Sequence, residues 1–125
     1  MVHIQYWIHI EQELSDLMKS FGSVFQVDNF EFDSENVWEW IEGYSQPLNA
    51  EINITREHQE DKGEYNKPMQ IRIKFTDLAE IPEDLIHTLG ETLSKKLKTG
   101  VSYGKIRYIK GNLFDFEELK KYEIR

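Results

Sequence analysis

Residues 2–10 alternate, with Val2, Ile4, Tyr6, Ile8 and Ile10 on one side and His3, Gln5, Trp7 and His9 on the other. Period two over nine residues predicts a half-buried strand. From Glu11 the period changes. Leu14, Leu17, Met18 and Phe21 follow helical spacing, predicting a helix over 11–21 with Gly22 as its stop. Val24, Phe25, Val27, Phe30 and Phe32 are apolar but irregular, which suits a short edge strand over 24–32. Asp33-Ser34 offers a helix cap before Val37, Trp38, Trp40, Ile41 and Tyr44, so an inserted helix is expected there, with Gly43 near its end and Pro47 beyond.

Alternation returns at 48–55 (Leu48, Ala50, Ile52 and Ile54 inward) and at 69–76 (Met69, Ile71, Ile73 and Phe75 inward). The polar loop between them, 57–67, makes the pair a long hairpin, with Glu51 facing Arg72 or Lys74. Pro82 suits a first helical position, and Leu85, Ile86, Leu89, Leu93 and Leu97 form one stripe over 82–98. A last strand is expected at 101–110, then a short C-terminal helix capped by Asp115 and carrying Leu119 and Tyr122. The result is one α+β domain spanning 1–125: a two-layer sandwich with a mostly antiparallel sheet and helices on one face. Its pattern is a ferredoxin-like split β-α-β-β-α-β plus the inserted and C-terminal helices.

Composition adds constraints. Aromatics make up 13% of the 125 residues, enough for a packed core, and there is no cysteine, so neither a disulfide framework nor a thiolate metal site is available. The N-terminus lacks the basic start and apolar run of a signal peptide, and no apolar run approaches a membrane span, which makes the cytoplasm the expected compartment. Net charge is −8, against the phosphate-neutralising patch of a nucleic-acid binder. The charge is also segregated. No Lys or Arg occurs between Lys19 and Arg56, whereas Lys95, Lys96, Lys98, Lys105, Arg107 and Lys110 follow one another with no acid between them.

Chemical motifs fail on context. Gly100-Val101-Ser102-Tyr103-Gly104 matches G-x-S-x-G, but a nucleophile elbow runs from strand to helix and this segment runs from helix to strand. His3 and His9 would stand about 20 Å apart along a strand, too far to share a metal. Glu83, His87 and Glu91 share a helix face, which reads as solvated. The loop His58–Glu64 is acidic without the ligand spacing of a calcium loop. No catalytic residue, cofactor or metal is expected.

The stretch 28–44 stands apart. Asp28, Glu31, Asp33, Glu35, Glu39 and Glu42 interleave with Phe30, Phe32, Trp38, Trp40 and Tyr44. On a helix Trp38 would join Ile41 toward the core while Trp40 lay about 200° around it, so one ring would be exposed among carboxylates. Such a surface suits a cationic partner. In size, architecture and this acidic-aromatic run, the chain resembles the small immunity proteins of bacterial polymorphic and contact-dependent toxin systems. The resemblance implies a non-catalytic binder that neutralises a cognate toxin, often a basic nuclease. The surface would comprise Asp28, Glu31, Asp33, Glu35, Glu39, Trp40, Glu42 and Tyr44; the basic run 95–110 departs from the pattern and would either lie away from the toxin or meet an acidic region of it. Two other classes stay open: an adaptor pairing through its sheet, and a small enzyme with a dispersed active site.

Overall fold

The computed structural model describes residues 2–57, 68–110 and 113–123; at Val2, 106–110 and 113–115 it describes the backbone. The elements are β1 (Val2–Ile8), α1 (Leu14–Phe25), β2 (Glu31–Glu35), β3 (Trp38–Ser45), β4 (Ala50–Glu57), β5 (Met69–Phe75), α2 (Glu83–Leu97), β6 (Val101–Lys110) and β7 (Leu113–Tyr122). The strands form one seven-stranded antiparallel sheet in the order β2-β3-β4-β5-β1-β6-β7. The class is α+β, and the sheet dominates it.

Each long alternation became a strand with its apolar side buried. Ile4, Tyr6 and Ile8 of β1, Ala50, Ile52 and Ile54 of β4, and Met69, Ile71, Ile73 and Phe75 of β5 share one cluster with Leu14, Leu17, Phe21 and Phe25 of α1 and Leu89 and Leu93 of α2. The expected core residue Leu85 is only partly buried at the rim of that cluster, and the side chain of Val2 lies outside the described residues. Tyr6, fully buried, donates from its hydroxyl to the carbonyl of Ile86 at 2.6 Å, which ties the central strand to α2. Glu51 pairs with Lys74 in the β4–β5 register, and Asn53 with Arg72.

Helix α1 runs beyond Gly22, because Val24 and Phe25 continue its stripe into the core; it ends where Gln26 turns left-handed at φ 56°. The strand expected over 24–32 is therefore the end of α1, a buried crossing at Val27 and Phe30, and only then β2.

Two expected helices are strands. Residues 31–45 form the hairpin β2–β3, with Asn36 and Val37 between the paired Glu35 and Trp38. Asn36 takes the left-handed backbone (φ 57°) that Asn tolerates. Asp33 does not cap a helix; its Oδ1 accepts from the Ser34 amide at 2.8 Å within β2. Gly43 is a mid-strand residue whose missing side chain lets Val27 and Phe30 lie against β3; a Cβ there would strike both. At the other end, 113–122 pairs along β6 instead of coiling. Phe116 stacks on Trp7 of β1 with ring centroids 4.3 Å apart, and Tyr122 is buried against α2. Those contacts outweigh the helix preference of Glu-Glu-Leu-Lys-Lys. The loop 58–67, with its acidic segment, lies outside the described residues.

Candidate partner-binding face

Directly paired residues in an antiparallel sheet point to the same side, so the register defines rows of side chains across the face opposite the core. One row runs Asp33, Trp40, Thr55, Gln70, Trp7, Ser102. The next runs Glu31, Glu42, Asn53, Arg72, Gln5. A third runs Tyr44, Glu51, Lys74, His3, and a short one at the hairpin end runs Glu35, Trp38, Glu57. The face is acidic and aromatic at the β2 edge and turns basic at β5.

Of the residues expected to bind a partner, Glu31, Asp33, Glu35, Trp40, Glu42 and Tyr44 meet on this one face. All are exposed except Trp40, which is partly buried. Trp38 joins them at 41% exposure, reversing its expected role as a core residue. In a strand Trp38 and Trp40 share a side, whereas a helix would have separated them. Asp28 is exposed on the crossing before β2 and borders a cavity that Tyr44 also lines.

Glu39 is the exception and a correction. It points to the core side of β3, is 4% exposed, and pairs across the strands with Arg56, which is fully buried. Arg56 Nε and Nη2 donate to Glu39 Oε1 at 3.0 and 2.7 Å. Its Nη1 donates to the Ile10 carbonyl at 2.8 Å, and Nη2 also reaches the Gln12 carbonyl. The guanidinium thus fastens the β1–α1 connection beneath β3 and β4. Glu39 is structural and takes no part in the exposed face. The sequence carried one signal of this: Arg56 continues the inward alternation of Ala50, Ile52 and Ile54.

An open groove of about 780 Å³ lies along β3–β5, between Glu31, Glu42 and Glu51 on one side and Arg72 and Lys74 on the other. Asn53 Nδ2 donates to Glu42 Oε1 at 3.1 Å across its floor. Tyr44 is held at its rim: the hydroxyl donates to Asn49 Oδ1, and Asn49 Nδ2 donates to Asp77 Oδ2. The amide and hydroxyl of Thr76 both donate to the Asn49 carbonyl at 3.1 Å, fixing that turn. Partial burial, then the positive charges of Arg72 and Lys74, hold the His3 imidazole below its ordinary titration range. Glu51, Asn53, Arg72 and Lys74 belong to the face although the sequence reading centred on 28–44. Their outward alternation was the available signal.

The remaining motifs have structural settings. Ser102 enters β6 directly after α2 and donates to Glu118 Oε1 at 2.5 Å. His87 places Nδ1 2.7 Å from the Tyr122 hydroxyl and Nε2 3.6 Å from Glu83 Oε1. No group of three metal-binding side chains gathers among the described residues, and no helix there is long and apolar enough to cross a membrane. Lys95 and Lys96 end α2, which packs on β6 and β7 at the far side of the strand order from β2. No family model matches the chain, and comparison with curated proteins and with solved structures finds no match either.

Proposed function

We propose that this protein is a non-catalytic binding module of the bacterial cytoplasm, an immunity protein that neutralises a basic toxin domain through the acidic-aromatic face of β2 and β3. The observation that carries this reading is the convergence of Glu31, Asp33, Glu35 and Glu42 with Trp38, Trp40 and Tyr44 on one exposed sheet face. Carboxylates steer a cationic partner and set its orientation, and rings provide desolvated anchors that slow release. The basic residues Lys95 and Lys96 of α2 fall at the other end of the sheet, away from this face. We read the inner strands β4-β5-β1-β6 with α1 and α2 as a ferredoxin-like frame, onto which the β2–β3 hairpin adds the working face.

The test is recovery of the cognate partner from the source organism, followed by growth of cells expressing that partner with and without this chain. Restored growth by wild type, lost on neutralising Glu31, Asp33, Glu35 and Glu42 together, supports the reading. A partner that is harmless to cells, or protection that survives the fourfold change, overturns it.

A further inference from the structure

We propose that the free edge of β2 receives an extended, basic segment of the partner as an eighth strand, its Lys or Arg side chains alternating with small residues. This rests on the partner-binding reading above and specifies how the face is engaged. Strand β2 is the outermost strand of the sheet, and all five of its residues are exposed. Its pairing closes on a two-residue turn, Glu35 opposite Trp38. In such a hairpin the closing pair exchanges both backbone hydrogen bonds and the pairs alternate from there. Glu31, Asp33 and Glu35 therefore spend their backbone groups on β3, while those of Phe32 and Ser34 point outward. An added strand would bond the amide and carbonyl of Phe32 and the carbonyl of Ser34, whose own amide already donates to Asp33 Oδ1 at 2.8 Å.

Three features select the occupant. Glu31, Asp33 and Glu35 recur every second residue on one face, the spacing of side chains on an incoming strand. Glu31 is paired directly with Glu42, a like-charge pair that costs stability. A lysine or arginine on an added strand would stand beside Glu31, on the side away from Glu42, and offset that repulsion. Of the exposed large hydrophobics, Trp38 and Tyr44 lie on β3 on the same face as these carboxylates, so uncovered rings accompany the charges. A second copy of this chain is a poor occupant. Antiparallel pairing of two β2 edges about Asp33 would oppose acid to acid at every position of that face. Nucleic acid is repelled by the same carboxylates. The opposite edge, β7, is packed against α2 and carries Lys120 and Lys121 beside Glu117 and Glu118.

The probe is a fluorescent, capped peptide Thr-Lys-Thr-Lys-Thr-Lys-Thr, compared with a form N-methylated at alternate threonines and with a Glu-for-Lys form. The unmethylated lysine peptide binds and slows amide exchange at Phe32, and added salt weakens it. Phe32→Pro removes the outward N–H at an edge position where proline is tolerated, and Phe32→Ala, which keeps that N–H, is its control. Both leave every charge in place, and the proline variant binds at least tenfold more weakly than the alanine one. Glu31→Gln, Asp33→Asn and Glu35→Gln together lower affinity at least tenfold. Equal binding of the methylated peptide, equal binding by Phe32→Pro and Phe32→Ala, or no binding of the lysine peptide at millimolar concentration overturns the proposal. The growth assay separates the two readings. Protection retained by Phe32→Pro rejects the edge and keeps the immunity function; peptide binding without protection does the reverse.

Discussion

The two edges of the sheet solve the same problem in opposite ways. A strand at an edge presents unpaired backbone groups that must be hidden or guarded. At β7 the protein anchors one end by packing: the ten-residue strand meets α2 and buries Tyr122 where Gly90 leaves room for its ring, while Glu118, Leu119, Lys120 and Lys121 stay exposed. At β2 it guards the edge: five exposed residues carry a carboxylate at every second position. The first edge invests in packing and the second in charge. The difference sets how each edge should respond to substitution.

The largest effect should come from the one acid near β2 that belongs to the core. Arg56→Met strands Glu39 in a buried site and should cost about 3–5 kcal/mol in urea unfolding. The double change Glu39→Met, Arg56→Met should recover much of it. A loss near zero for the single change would return Glu39 to the surface group.

The packed edge comes next. Gly90→Ala would normally strengthen a helix, but here the new methyl meets the Tyr122 ring. Stability should fall by roughly 1–3 kcal/mol, and hydrogen exchange should quicken along β7 first. A more stable variant would mean that α2 does not hold this edge.

Tyr6→Phe probes the centre between the two edges. It removes the hydrogen bond to the Ile86 carbonyl, which α2 still pairs internally, and should cost about 1 kcal/mol at neutral pH. Burial, then Tyr122 and Tyr103, push the Tyr6 phenol far above its ordinary value of 10.0. A folded pKa above the unfolded one stabilises fully below pH 10 and is lost as pH rises past it. Wild type should therefore lose stability above pH 10, and the Phe variant should lose less. Parallel curves would refute that origin.

The smallest effect belongs to the guarded edge and has the opposite sign. Glu31→Gln relieves the repulsion with Glu42 and should raise stability by roughly 0.2–1 kcal/mol, while affinity for a basic partner falls. A destabilised variant would show that Glu31 has a structural role the exposed edge does not reveal.

The alternations at 2–8, 50–57 and 69–75 were legible because one side of each is aliphatic and the other polar, and they delivered the α+β class and most of the core. The hairpin 31–45 was not, because both sides of β3 bear groups that look out of place: tryptophans outward, a glutamate inward. Its turn, Asn36-Val37, lacks the glycine that usually announces one. Residues 113–122 have helix-forming composition and became a strand through contacts with β1 and α2 that no local pattern encodes. The acidic-aromatic cluster was legible as a group; its geometry was not. A helix would have scattered those side chains, whereas the hairpin aligns most of its carboxylates with Trp38, Trp40 and Tyr44 and sends Glu39 and Phe32 to the other side.

The position of β1 has a consequence for synthesis. Made before the six strands that follow it here, β1 occupies the middle of the sheet, and its pairing partners are β5 and β6. Tyr6 waits for Ile71 on one flank and for Tyr103 on the other. On the ribosome the segment β2–β3–β4 needs only near neighbours, so the meander bearing the carboxylates can pair while β1 still has no partner. Closure of the centre must await β6. The hairpin bearing the β2 edge can thus form before the centre closes, and a carboxylate at every second position opposes pairing of that edge with another copy.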